Sequence, residues 1–313
     1  MTSPRVLFAG TPEFALASLR ALVAADAKPV AVLTQPDRPA GRGKRLTASP
    51  VKEYALQAGI EVLQPPTLRG ADVVAELAAH SSDLMIVAAY GLILPQEVLD
   101  LPAHGCVNVH ASLLPRWRGA APIQAAILNG DPESGVSLMS MTAGLDCGPV
   151  YVREALSIGE DETAGELHDR LAELGGTLLV RHLAAILEGT LEAVEQDESQ
   201  ATYAPKIRKQ DAVMDWRRPA HELQRLVRAY NPSPGAWFEL EEQRIRCWKV
   251  ARLDDVDDVP GKIVSRGRRG IVVACGGGGL ILESLQRPGK RRVTGGEFSA
   301  AVDLAGRTLS APE

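Results

Sequence analysis

Apolar residues in the first part of the chain fall in short continuous runs, and between those runs they recur at helical spacing. Arg5-Val6-Leu7-Phe8-Ala9 has the pattern of a buried strand. Gly10-Thr11-Pro12-Glu13 then predicts a helix start, with Thr11 as N-cap, Pro12 at the first helical position and Glu13 facing the positive end of the dipole. Phe14, Leu16, Leu19, Leu22 and Val23 supply the apolar stripe of that helix. The alternation continues with a strand at Val30 to Thr34, a helix opened by Ser49-Pro50 and stopped at Gly59, a strand at Glu61 to Leu63, a helix from Ala71 to Ala79 and a strand at Leu84 to Ala88. Strands alternating with helices build a doubly wound parallel sheet, whose ligands bind at the carboxyl ends of the strands. Past a helix-like run at Ile123 to Leu128, Gly135 to Met141 alternates in strand fashion and Val150 to Leu156 follows as another strand. Thr163-Ala164-Gly165-Glu166 is a capping box that opens a long amphipathic helix ending at Gly189.

The pattern then changes. Leu191 to Pro205, with Glu195-Gln196-Asp197-Glu198-Ser199-Gln200 inside it, is polar, aperiodic and acidic, as linkers are. Beyond it Arg217 to Ala229 predicts a helix, and Asn231-Pro232-Ser233-Pro234-Gly235 breaks the chain. Short strands are expected at Ala236 to Leu240, Ile245 to Val250, Gly261 to Val264, Ile271 to Ala274 and Leu280 to Leu285, with glycine turns that suit a small barrel. The expected division is a first domain over 1–189, a linker over 190–206 and a second, smaller β-barrel domain over 207–313.

Composition narrows the class. The 313 residues are 45% hydrophobic, 23% charged and 4% aromatic, as in a soluble globular protein. No window reaches a membrane-spanning length without a charge or a proline, and Met1 to Arg5 leads into a strand with no apolar signal region. Cys106, Cys147, Cys247 and Cys275 have neither metal nor disulfide spacing, which fits a reducing cytoplasm. The net charge of −5 hides an asymmetry: residues 1–205 carry 14 Lys and Arg against 25 Asp and Glu, and residues 206–313 carry 20 against 14. A basic minor domain beside an acidic major one suggests a polyanionic partner, against the alternative of uneven surface decoration.

Four stretches carry candidate chemistry. In Val107-Asn108-Val109-His110 the alternation puts Asn108 and His110 on one strand face, either as a pair of satisfied polar groups or as a site for an anion or a polarised carbonyl. Tyr90-Gly91-Leu92 follows the preceding strand. In Thr142 to Pro149 two glycines and a proline surround one carboxylate, Asp146, which either caps its turn or orients and charges a histidine. Gln35 to Ser49 reads as a structureless loop carrying Arg38, Arg42, Lys44 and Arg45, with glycines that leave it open to a phosphate backbone. A dinucleotide reading of the first turn fails, because Pro12 stands where the second glycine of the fingerprint belongs.

With those residues in view, the chain resembles the methionyl-tRNA formyltransferases over nearly its whole length. Ser112-Leu113-Leu114-Pro115-Arg116-Trp117-Arg118-Gly119-Ala120-Ala121-Pro122-Ile123-Gln124 is close to that family's signature. Asn108-Val109-His110 and Gly144-Leu145-Asp146-Cys147-Gly148 match the wider group of formyltetrahydrofolate enzymes; the basic loop with Arg42 and Asn231-Pro232-Ser233-Pro234-Gly235-Ala236-Trp237 narrow it. The resemblance implies a Rossmann-like α/β domain joined to an OB-like barrel that helps hold tRNA. It implies transfer of a formyl group from the co-substrate 10-formyltetrahydrofolate to the methionine amino group of initiator methionyl-tRNA, in a cytoplasmic, monomeric protein with no metal and no membrane partner. Asn108, His110 and Asp146 are then the catalytic set. The folate would enter an apolar slot from Tyr90, Leu92, Leu94, Ser112, Leu113, Leu114 and Pro115, and Arg38, Arg42, Lys44 and Arg45 would meet the tRNA. The rival expectations are a formyltransferase for a sugar or other small amine, and a tRNA-binding relative without catalysis.

Overall fold

The computed structural model describes residues 4–40, 45–302, 304 and 306–309, which gather into two compact units. The first is built on residues 1–122, 133–157 and 168–204, the second on 123–132, 158–167 and 205–313. In chain order the elements up to residue 204 are β1 (Val6–Gly10), α1 (Glu13–Ala24), β2 (Ala31–Leu33), β3 (Arg38–Ala40), β4 (Arg45–Thr47), α2 (Pro50–Gln57), β5 (Glu61–Leu63), α3 (Ala71–Ala78), β6 (Leu84–Ala88), α4 (Gln96–Leu99), β7 (Cys106–His110), β8 (Arg118–Gly119), α5 (Pro122–Asn129), β9 (Glu133–Ser140), β10 (Val150–Ser157), α6 (Ala164–Leu187) and β11 (Tyr203–Ala204).

Seven of these strands form one sheet in the order β10-β9-β7-β6-β1-β2-β5. The five from β7 to β5 run parallel. β1 and β6 are buried at every position, which is why their sequences are continuous apolar runs. The strand order reverses direction between β1 and β6, so the crevice at a topological switch point opens beyond Gly10 and Ala88, one strand from the end of β7. β9 and β10 are antiparallel, and the alternating exposure of β10 is that of an edge strand with one wet face.

In the first unit two local signals were not followed. Ser49 caps α2 through Lys52 N (3.0 Å), and Thr163 and Glu166 exchange the two bonds of a capping box at the head of α6 (2.9 and 3.3 Å). Thr11, expected to cap α1, does not: the helix opens after Pro12 without a side-chain cap. Its hydroxyl instead donates to Tyr90 O (2.9 Å) and accepts from Gln35 N (3.3 Å), tying the loops after β1, β2 and β6 together. The basic stretch is also not structureless, because β3 and β4 pair antiparallel across it. An Arg-Pro-Ala segment is already biased to extended backbone. Its base is anchored where Lys52 Nζ and Gln64 Nε2 both donate to Asp37 (2.7 and 2.8 Å), and the Lys52 bond holds that carboxyl below its ordinary range.

The second unit contributes α7 (Ala220–Ala229), β12 (Ala236–Leu240), β13 (Gln243–Leu253), β14 (Ile263–Arg266), β15 (Ile271–Ala274), β16 (Gly279–Gln286), β17 (Arg292–Thr294) and α8 (Gly295–Ala301). Its six strands pair antiparallel, and β13 carries two register shifts around Trp248 and Lys249, the kind of bulge that curls a small sheet. Trp216 packs edge-on against Phe238 with ring centroids 5.5 Å apart. The helix expected from Arg217 starts at Ala220, after Pro219. β17 and α8 were not expected: the strand begins at Arg292, the last of three consecutive cations, and two glycines lie inside the capping box of Thr294 and Glu297. No helix among the described residues is long and apolar enough to cross a membrane.

Candidate active site

β7 places two polar side chains at the carboxyl end of the parallel sheet. Val107 and Val109 point into the core, and Asn108 and His110 share the opposite face. His110 is only 6% exposed. Asp146 arrives from the loop between β9 and β10 with φ of 49°, a left-handed conformation that aspartate tolerates better than most residues. Its Oδ1 accepts a long bond from Asn108 Nδ2 (3.5 Å), and its Oδ2 lies 3.8 Å from His110 Nδ1. The three side chains expected to form the site therefore meet, at separations short enough for charge on one to be felt by the others.

The segment after β7 closes around them. His110 Nε2 donates to the carbonyl of Trp117 (3.0 Å), which leaves Nδ1 as the ring atom facing Asp146. Gly119 N donates to Asp146 Oδ2 (2.8 Å), so the signature loop itself grips the carboxylate. Ser112 Oγ donates to Arg116 O (2.6 Å), and Ser137 Oγ donates to Ser112 O (2.6 Å). Arg153 holds the carbonyl of Leu114. Gly119 has φ of +113°, and a Cβ there would lie 2.7 Å from the backbone oxygen of Ala204. Gly119→Ala is expected to cost about 3 kcal/mol, from left-handed strain and a steric clash together, read as a fall in the denaturation midpoint. Gly105→Ala, also left-handed (φ +71°) but with no atom within 4 Å of its Cβ, isolates the strain and should cost about 1 kcal/mol.

Sequence reasoning missed the groups that hold this loop. Residues 190–204, expected to be linker, lie bonded along the first unit: Val194 bridges Val150, Thr202 pairs with Trp117 and Arg118, and β11 pairs with β8. Arg118 is 1% exposed, and its guanidinium donates to Gln196 Oε1 (2.9 and 3.1 Å) and to both oxygens of Glu198 (2.6 and 2.8 Å). The Glu198 carboxylate raises the arginine above its ordinary range, and the arginine lowers the carboxyl in turn. The signal was present as Arg118 facing the acidic run at 195–198, but only a fold brings 80 residues of separation to contact.

The expected folate residues divide. Tyr90, Leu92 and Leu94 belong to the apolar cluster under the sheet with Leu7, Val87 and Met141, and Leu114 packs in another with Met139 and Val150. Ser112 is buried too, and Leu113 lies against Gly135. Tyr90, Leu94, Ser112 and Leu114 are buried, whereas Leu92, Leu113 and Pro115 are partly exposed. Burial pushes the Tyr90 hydroxyl up to about 12, and neither that hydroxyl nor the amide nitrogen of Gln35 has a hydrogen-bond partner among the described residues. Of the basic residues, Arg38 and Arg45 are exposed on β3 and β4, and Arg42 and Lys44 lie outside the described residues. Cys106 near the site is inert, its thiol pushed up to about 12 by burial.

The second unit has a cationic cavity of about 530 Å³ lined by Ser233, Pro234, Gly235 and Trp237 with Lys209, Arg244, Arg246 and Arg287. Arg244 stacks over Trp237 at 4.3 Å, and Arg292 over Trp248 at 3.7 Å. Cations laid on aromatic faces around an open groove are a common arrangement for a nucleic-acid backbone.

Comparison with known proteins gives the family of this chain. The formyl transferase family model matches residues 5–183, and the model of the formyl transferase C-terminal domain matches 206–302. A methionyl-tRNA formyltransferase of Pseudomonas fluorescens is 54% identical over 290 residues, 92% of this chain and 91% of the relative. That of Thiobacillus denitrificans is 52% identical over 309 residues, 98% of each. Among solved structures, an N-formyltransferase from Helicobacter canadensis in complex with folinic acid and dTDP-3-aminofucose has a TM-score of 0.64 at 17% identity, covering 91% of this chain and 99% of that one. HypX from Aquifex aeolicus in complex with tetrahydrofolic acid has a TM-score of 0.65 at 17% identity, covering 95% of this chain and 47% of that one. At such identity these two likenesses speak for the fold.

Proposed function

This chain belongs to the methionyl-tRNA formyltransferases of the formyl transferase family, and from that premise we propose that Asn108, His110 and Asp146 are the centre at which it formylates initiator methionyl-tRNA from 10-formyltetrahydrofolate. The observation that carries the assignment is the approach of the Asp146 carboxylate to both Asn108 (3.5 Å) and His110 (3.8 Å) at the carboxyl end of β7. When bound, the folate supplies the formyl group and departs with a proton on the nitrogen that carried it.

As the methionine amine adds to the formyl carbon, negative charge gathers on the formyl oxygen. Asn108 Nδ2 is placed to donate to that oxygen, since its long bond to Asp146 is readily exchanged for a stronger, charge-assisted one. His110 keeps Nε2 on the Trp117 carbonyl and works through Nδ1, which takes the proton from the attacking amine and returns it, directly or through one water, to the leaving nitrogen. Asp146, fixed by Gly119 N, faces Nδ1 and steadies the ring while it carries the extra charge. The amine–formyl bond forms, the formyl–folate bond breaks, and one proton crosses between the two nitrogens.

The exposed backbone at Gly91, with Leu92, Leu113 and Pro115 partly exposed, suits the hydrogen-bonding edge of a pterin. Arg38, Arg42, Lys44 and Arg45 are assigned to the acceptor end of the tRNA, and the Trp237 cavity of the second unit to its backbone. The protein acts in the cytoplasm as a monomer.

The test is a formylation assay with 10-formyltetrahydrofolate and three acceptors: methionyl-tRNA, uncharged tRNA and an amino-sugar nucleotide. Formyl-methionine on the charged tRNA alone, at a rate that falls steeply as salt is raised, is the expected result. Formylation of the sugar nucleotide with none of the tRNA would replace this reading by the small-amine one.

A further inference from the structure

We propose that Gln196 is the positioning residue of the catalytic carboxylate, holding the Asp146 turn through its side-chain amide; the inference rests on the catalytic reading of Asp146. Gln196 lies in the polar segment 190–206, yet it is only 8% exposed. Its Nε2 uses both protons on the turn that carries Asp146, donating to Asp146 O (2.9 Å) and Gly148 O (2.7 Å). Its Oε1 accepts twice from the buried Arg118 guanidinium (2.9 and 3.1 Å). The residue after Arg118 supplies the backbone N–H that holds Asp146 Oδ2 at 2.8 Å.

These bonds close a ring. Asp146 is held by its main chain through Gln196 and by its carboxylate through Gly119, and Arg118 joins the two holds. The left-handed backbone at φ 49° carries some cost even for aspartate, and the Gln196 bonds offset it. Without the Gln196 amide the turn is free to relax, and the carboxylate swings away from Asn108 and His110, where contacts of 3.5 and 3.8 Å leave little to lose. The segment itself is anchored on either side of Gln196, by the Val194–Val150 bridge and by Thr202 on the Trp117 loop. Changing Gln196 therefore alters the turn without detaching the strap.

Two variants separate positioning from bulk structure. Gln196→Met removes all four bonds, and Gln196→Glu keeps an acceptor for Arg118 but turns a carboxylate on the two carbonyls. Both are expected to lower kcat about ten- to a hundredfold while KM for methionyl-tRNA and for folate stays within about twofold. Gln196→Glu should melt below the parent, because its buried carboxylate faces two carbonyl oxygens, so kcat is read well below that melting temperature. Asp146→Asn runs beside them and should be nearly inactive. If Asp146→Asn is inactive and both Gln196 variants keep the parental kcat, or change KM alone, the positioning role is overturned and the catalytic reading stands. If Asp146→Asn turns over normally, the catalytic reading falls and this inference with it.

Discussion

Removing the imidazole of His110 is expected to slow formyl transfer by about 10²–10³-fold, with the affinity for tRNA unchanged. A positioned acid–base group typically contributes about 10²–10⁴-fold to the rate, and His110 is the group assigned to carry the proton. His110→Ala also removes a bond to the Trp117 carbonyl, so thermal denaturation must accompany the kinetics; one such part-buried bond contributes about 1 kcal/mol of stability. Asn108→Ala is the cleaner substitution. Its one side-chain bond among the described residues is the 3.5 Å contact with Asp146, so its stability should match the parent while its rate falls about 10²-fold or more. The double variant should be no slower than the worse single one, because groups acting on one transition state are not additive. Near-parental kcat for Asn108→Ala in a well-folded protein would remove the amide from the mechanism.

Why these two side chains were visible in the sequence is a matter of periodicity. Val107 and Val109 alternate with Asn108 and His110, and a strand has only two faces, so the polar pair had to share one. The parallel strands were visible for a related reason: β6 occupies its expected span, because the bounds of an apolar run are the bounds of its burial. Asp146 was marked by glycines and proline, which specify a tight turn whatever lies around it.

What stayed hidden depends on contacts that no local rule encodes. Thr11 has the residue type of an N-cap, but its hydroxyl is taken by Tyr90 and Gln35 from two other loops. The polar run at 195–200 has the composition of a solvated linker because its partner, Arg118, is charged and lies 78 residues away. Polar residues that bond a buried cation and polar residues that bond water look alike in sequence. The same limit applies to Tyr90, Leu94 and Leu114. The pattern marks them as apolar residues beside the site, and it does not say whether they face a ligand or the core beneath it.

Arg118→Leu is expected to destabilise the protein by about 3 kcal/mol. Two costs contribute. Gln196 Oε1, buried beside it, loses both of its donors, worth about 1–3 kcal/mol, and the shorter side chain leaves part of the guanidinium volume empty, worth about 1 kcal/mol more. The ion pair itself adds little to the loss, because Glu198 is 67% exposed and its freed carboxylate returns to water. Adding Glu198→Ala to Arg118→Leu should therefore lower the denaturation midpoint no further. Arg118→Lys should rescue little, since one ammonium cannot reproduce a planar fork that bonds an amide oxygen twice and a carboxylate on both oxygens. Urea denaturation of the four proteins decides the matter. Arg118→Leu within 1 kcal/mol of the parent would mean that the buried arginine is replaceable by packing alone, as some buried ion pairs are.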